Sequence, residues 1–135
     1  MPMFTWGSRF CLGIESIDKQ HEVLVNYLNQ LYDAMLKSET KEVIKPILDG
    51  LISYTANHFV FEEKLFATHG YPDATDHRKE HDDLKTKVLS FQKEFDAGKA
   101  TVSNDLMNFL KNWLQGHILG SDKKYAPFLT SKGVK

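Results

Sequence analysis

Apolar residues recur along this chain at steps of three and four, the spacing of one face of an α-helix. Ile17, Leu24, Leu28, Leu31 and Met35 mark a first seam, and His21 falls on it. Ile44, Leu48, Leu51, Thr55 and Leu65 mark a second, which turns polar at His58 and Glu62. A third begins on His77 and His81 and continues through Leu84, Val88, Phe91 and Phe95, and a fourth runs from Leu106 through Leu110 and Trp113 to His117. The seams predict helices over about 17–37, 41–69, 72–97 and 104–119.

The breaks between seams carry turn chemistry. Ser38, Glu39 and Thr40 separate the first two segments, Gly70, Tyr71 and Pro72 the next two, and Gly98 to Ser103 the last two. Gly70 and Gly98 are expected to end their helices, and Pro72 to open the third at its first position, where a missing N–H costs nothing. Pro46 lies past the first turn of the second helix and is expected to kink it or delay its regular part. Short connections favour antiparallel neighbours, so the expected fold is all-α: an up-down-up-down four-helix bundle. An N-terminal arm over about 1–16 and a short C-terminal segment over about 121–135 complete a single domain, 1–135.

The 135 residues suffice for one real core. A formal net charge of −1 gives no nucleic-acid footprint, so the expected partner is small or neutral. No run of 18 apolar residues occurs, and the first ten residues lack a basic region followed by an apolar stretch. Cys11 is the only cysteine, which fits a reducing compartment. A cytoplasmic protein without membrane insertion is expected.

The polar interruptions of the seams are the chemical signal. His21, His58-x-x-x-Glu62, His77-x-x-x-His81 and His117-x-x-x-x-Asp122 form a set of five histidines and two carboxylates. Residues four apart share a helix face, so His58 with Glu62 and His77 with His81 each present two donors in one direction. His21 and His58 both lie about 25 Å from the turn joining the first two helices, and Glu62, His77 and His81 flank the Gly70 turn at comparable heights. The donors therefore converge on one layer. Buried polar groups left unpaired cost about 1–3 kcal/mol each, so such a layer needs a partner, and metal is the natural one. Seven donors exceed what one tetrahedral zinc takes but suit two octahedral ions that share carboxylates. His69 falls near the same face yet about 16 Å along the axis from His58, out of reach. Asp122 lies about 140° around a regular helix from His117, so its inclusion requires the helix to bend or end near Gly120 and Ser121.

These residues closely resemble the hemerythrin family, specifically its single-domain bacterial members. The likeness spans essentially the whole chain. It is carried by Ile17-Asp18-Lys19-Gln20-His21, His58-Phe59-Val60-Phe61-Glu62-Glu63, Gly70-Tyr71-Pro72, His77-Arg78-Lys79-Glu80-His81 and Trp113-Leu114-Gln115-Gly116-His117, with Asp122 and Tyr125 beyond. The resemblance implies a non-haem diiron centre that binds dioxygen reversibly, for storage, transport or buffering. It implies that His77, His81 and His117 hold one iron and His21 and His58 the other. Glu62 and Asp122 would bridge them beside an oxo or hydroxo group, the irons cycling between Fe2+ and Fe3+. It also implies an O2 pocket lined by Leu24, Phe59, Trp113, Leu114 and Ile118, for each of which the alternative is ordinary core packing. Asp18 either caps the first helix or accepts a hydrogen bond from a metal-bound histidine, and Tyr125 either hydrogen-bonds near Asp122 or merely packs. Trp6 and Cys11 belong to an arm that crosses the bundle in the family.

Five neutral imidazoles and two carboxylates contrast with the four carboxylates typical of diiron oxygenases in such bundles. Fewer anionic donors stabilise high-valent iron less, which favours a carrier over an enzyme. The alternatives are a diiron oxidase or peroxidase, or an oxygen or redox sensor working through a separate partner. Beyond dioxygen, the expected associations are transient contact with an oxygen-consuming enzyme and, at most, weak self-association of a monomer.

Overall fold

The computed structural model describes residues 4–135. The chain folds as an antiparallel up-down-up-down four-helix bundle. Its helices are α1 (Glu15–Leu36), α2 (Lys41–His69), α3 (Ala74–Asp96) and α4 (Asn104–Gly116). The fourth helix does not stop at Gly116. It widens into a π-helical segment, His117–Asp122, and returns to α geometry as α5, Lys123–Ser131. No strand occurs among the described residues. No helix among them is long and apolar enough to cross a membrane.

Local chemistry explains the ends. Gly70 takes a left-handed conformation (φ 70°), and its N–H and that of Tyr71 both reach the Phe66 carbonyl, ending α2. Gly98 (φ 74°) follows the last residues of α3 in the same way. Ser103 caps α4 by accepting the Leu106 N–H at 3.2 Å. Pro72 stands in the turn ahead of α3, which begins at Ala74, so it does not open the helix. Pro46 lies inside an α2 that starts at Lys41 and runs unbroken to His69. The proline cannot donate to the Glu42 carbonyl, and the 29-residue helix carries that one missing bond.

The N-terminal arm is tied on through main chain and side chain together. Phe4 donates its N–H to Asn29 Oδ1 at 2.9 Å, and Asn29 Nδ2 donates back to the Phe4 carbonyl at 2.8 Å. Phe4 and Phe10 are buried, with Trp6 stacked on Phe10 at 5.6 Å. Asp18 neither caps α1, whose N-cap is Ile14, nor touches a histidine through a hydrogen bond. It accepts the Leu12 N–H at 2.8 Å and so fixes the entry of the arm.

Buried residues form two apolar clusters. The larger contains Val25, Leu28, Phe59, Leu84, Leu110 and Ile118, and the smaller Ile14, Ile17, Phe66, Tyr71, Tyr125 and Leu129. On every helix the change from one cluster to the other falls at the same place: between Ile17 and Val25, Phe59 and Phe66, Tyr71 and Leu84, and Ile118 and Tyr125. That place is occupied by the polar donors. The fold is two hydrophobic cores with one buried polar layer between them.

Candidate metal centre

His21, His58, Glu62, His77, His81, His117 and Asp122 are all buried, Glu62, His81 and Asp122 completely. Their donor atoms fall into two groups, each within 4.8 Å: Glu62, His77, His81, His117 and Asp122, and His21, His58 and Glu62. Glu62 belongs to both. Asp122 reaches across as well, with Oδ1 3.1 Å from His77 Nε2 and from His117 Nε2, and Oδ2 3.0 Å from His21 Nε2. Glu62 Oε1 lies 3.3 Å from His58 Nε2 and 3.2 Å from His81 Nε2. His69, in the last turn of α2, stands in neither group.

These separations carry chemical meaning. Two donors at right angles around one ion, each about 2.1 Å from it, are about 3.0 Å apart. Yet His21 Nε2, His77 Nε2, Glu62 Oε1 and both oxygens of Asp122 have no hydrogen-bond partner despite these short distances. Buried polar atoms left in this way are costly, and a cation among them would satisfy them. The histidine tautomers agree: His58, His81 and His117 donate their Nδ1–H groups to Gln20 Oε1 (2.6 Å), Glu63 Oε2 (3.0 Å) and Glu80 Oε1 (3.1 Å). His81 Nε2 and His117 Nε2 then face each other at 3.1 Å, an arrangement that a cation between them makes favourable. The residues fit a metal centre.

Aromatic rings lock the imidazole planes. Phe59 stacks on His81 at 3.7 Å and 4°, Trp113 stacks on His117 at 4.4 Å and 18°, and Phe66 meets His77 edge-on at 4.9 Å. Tyr125, fully buried, donates its hydroxyl to Glu62 Oε2, so the carboxylate it holds is Glu62 rather than Asp122.

Charge follows the same layout. Burial and the Asp122 charge push the Glu62 carboxyl up, but His58 and His81 outweigh them and hold it below the ordinary value. Asp122 is likewise held well below its ordinary value against burial, chiefly by His117. Burial pushes His117 down, but the charges of Asp122 and Glu62 and the hydrogen bonds to Asp122 and Glu80 together outweigh it and raise His117 to about 9. Burial and the Glu62 charge push the Tyr125 hydroxyl well above its usual range, so it stays a donor.

The π segment brings in Asp122. In a π helix each N–H reaches back five residues, so positions five apart lie close to one face. His117 and Asp122 therefore point the same way without the helix bending or ending, contrary to the expectation from regular α geometry. Gly120 allows no turn here; the helix passes through it.

An apolar cavity of about 50 Å³ adjoins the layer. Leu24, Phe59, Trp113 and Leu114 line it together with His21, His58, His117 and Asp122. Ile118 does not; it is fully buried in the larger core beside them. Sequence reasoning also gave no role to Gln20, Glu63 and Glu80, and gave Ser121 only a bend or end of the helix that does not form. The first three are each adjacent in sequence to a donor or to its helix neighbour, a position that could have flagged them as orienting groups.

Residues 12–129 match the hemerythrin HHE cation binding domain. The chain belongs to the hemerythrin family. It is 36% identical to the bacteriohemerythrin of Methylococcus capsulatus (strain Bath) over 132 residues, 97% of this chain and all of that one. It is 35% identical to the bacteriohemerythrin of Clostridium acetobutylicum, covering 91% of this chain and 98% of that one. A wild-type hemerythrin crystal structure superposes with a TM-score of 0.89 at 35% identity, covering 94% of this chain and 98% of that one. A hemerythrin point mutant superposes at 0.91, covering 96% and 98%. A hemerythrin fold with this buried histidine and carboxylate cluster marks a diiron-type hemerythrin protein, of a family that generally carries oxygen.

Proposed function

We propose that this protein binds dioxygen reversibly at a diiron centre. In this reading His77, His81 and His117 hold one iron, His21 and His58 hold the other, and Glu62 and Asp122 bridge them. The single observation that carries it is the asymmetry of the two donor groups, which share Glu62 but divide the histidines three to two. A two-histidine iron would have one position fewer filled by protein, and both of its histidines, His21 and His58, line the apolar cavity, against His117 alone of the other three. When bound, the iron pair supplies the electrons that make oxygen binding favourable.

The chain's own residues do the rest. Phe59, Leu24, Trp113 and Leu114 keep the cavity apolar, which excludes water and anions that compete for the open position. Glu63 and Glu80 hold the Nδ1 protons of two histidines of the three-histidine group, while Gln20, a neutral amide, holds that of His58. Carboxylate partners raise ligand basicity more than an amide does. An iron held by the three-histidine group would thus be the electron-richer of the two. The physiological use of the protein in this reading is oxygen storage, transport or buffering rather than turnover.

Anaerobic reduction followed by air and then evacuation, watched by visible absorption with an iron count, tests this directly. Two irons per chain and a band that appears in air and leaves under vacuum are expected. One iron per chain, or a band that never reverses, overturns the carrier reading. Replacing His58 with alanine is expected to lower the count towards one and abolish oxygen binding, and undiminished loading would contradict the ligand assignment.

A further inference from the structure

One carboxylate grips the π segment at two points. Glu80, on α3, accepts the His117 Nδ1–H at 3.1 Å, and its two oxygens lie 2.6 and 2.8 Å from Ser121 Oγ. His117 opens the segment, and Ser121 stands directly before Asp122, which ends it. We propose that Glu80 is a positioning residue: it fixes the rotational phase of the π turn and thereby sets the Asp122 carboxylate across the two donor groups without touching it. The role of Asp122 rests on the diiron reading above; the grip on the π turn does not.

The geometry selects the π form specifically. In an α-helix four residues already exceed one turn, so positions 121 and 122 both lie past His117 on the same side. In the wider π turn four residues fall short of a full turn and five exceed it, so Ser121 and Asp122 straddle the direction of His117. Ser121 then reaches Glu80 on the Nδ1 side of the imidazole, while Asp122 reaches His117 Nε2 on the other. An α-helical register would withdraw Asp122 from His21, to which Oδ2 now lies at 3.0 Å. Glu80 is itself about half exposed, which makes it an anchor at the edge of the buried layer rather than part of it.

The test is hydrogen exchange of the iron-loaded full chain, with Glu80→Ala, Glu80→Gln and Ser121→Ala. Glu80→Ala is expected to accelerate exchange over residues 117–124 by about tenfold, the effect of losing charge-assisted hydrogen bonds, and to speed iron release to a chelator. Amides in the middle of α1 should keep their wild-type rates. Glu80→Gln, which keeps an acceptor in place, should restore most of the protection. Ser121→Ala removes one arm only and should loosen residues 121–124 while leaving the start of the segment protected, a readout available even if Glu80→Ala fails to fold. Unchanged exchange over 117–124 in all three variants, or equal acceleration in every helix, overturns the proposal. A wild-type iron count below two alongside the expected exchange pattern would sink the diiron reading and leave the Glu80 grip standing.

Discussion

Tyr125 shows how much one hydroxyl does inside the layer. It sits in the smaller core against Phe66 and Tyr71, and its O–H satisfies the one Glu62 oxygen that does not face the histidines. Replacing it with phenylalanine removes the donor but not the ring, so packing is kept while a buried carboxylate oxygen is orphaned. The expected loss is about 1–3 kcal/mol, measured by denaturant unfolding, together with a weakened hold on metal through a less constrained Glu62. Wild-type stability in Tyr125→Phe would mean that the hydroxyl contributes nothing beyond packing. Asp18 makes the opposite point. A carboxylate in the first turn of α1, three residues from His21, invites a role at the metal, yet it serves the arm through the Leu12 N–H.

At the scale of elements, the connections carry as much information as the helices. The turn between α1 and α2 holds Ser38 at φ 50°, the one described non-glycine residue with positive φ. A side chain in that region is strained by about 1–2 kcal/mol, and the extra freedom of glycine when unfolded takes back part of any gain. Ser38→Gly is therefore expected to stabilise the protein by about 0.5–1 kcal/mol, a few degrees in thermal melting. No change, or a loss, would show that the turn is held by its neighbours regardless of residue. The π segment is the other informative element. Its six residues convert an α-helix that would carry Asp122 away from the seam into one that returns it, and then α5 resumes and brings Tyr125 over Glu62.

For the whole molecule, the polar layer makes stability and metal uptake depend on pH in opposite ways at the two ends of the range. Glu62 and Asp122 are held below their ordinary values of 4.5 and 3.8, so in protein stripped of metal their contribution is present above those values and lost as pH falls further. His117 is raised from 6.5 to about 9, so its contribution is full below 6.5 and is lost as pH climbs through about 9. In the proposed ligand assignment, metal must displace that His117 proton. Apparent affinity is therefore expected to rise about tenfold per pH unit for each proton released, levelling near pH 9. Competition against a chelator at several pH values measures it, and a flat profile between pH 6.5 and 8.5 would show that no proton leaves on binding.

Four helices and their buried faces were legible in the sequence because helical periodicity is local: steps of three and four put Leu24, Leu28 and Leu31 on one side whatever else the chain does. The same steps gave six of the gathered donors, since His21, His58, Glu62, His77, His81 and His117 replace apolar residues within seams that must face inward. Asp122 was legible only by resemblance, because its place depends on an i→i+5 turn that no residue type encodes and that contacts from α3 accompany. Gln20, Glu63 and Glu80 were equally hidden. Each has ordinary surface chemistry, and only the packing of one helix against another decides that its oxygen meets an imidazole N–H. Sequence by itself set the seams, the layer and its donor types. The tertiary structure decided how the layer closes, because the last carboxylate and the groups that orient the histidines are positioned across helices rather than along them.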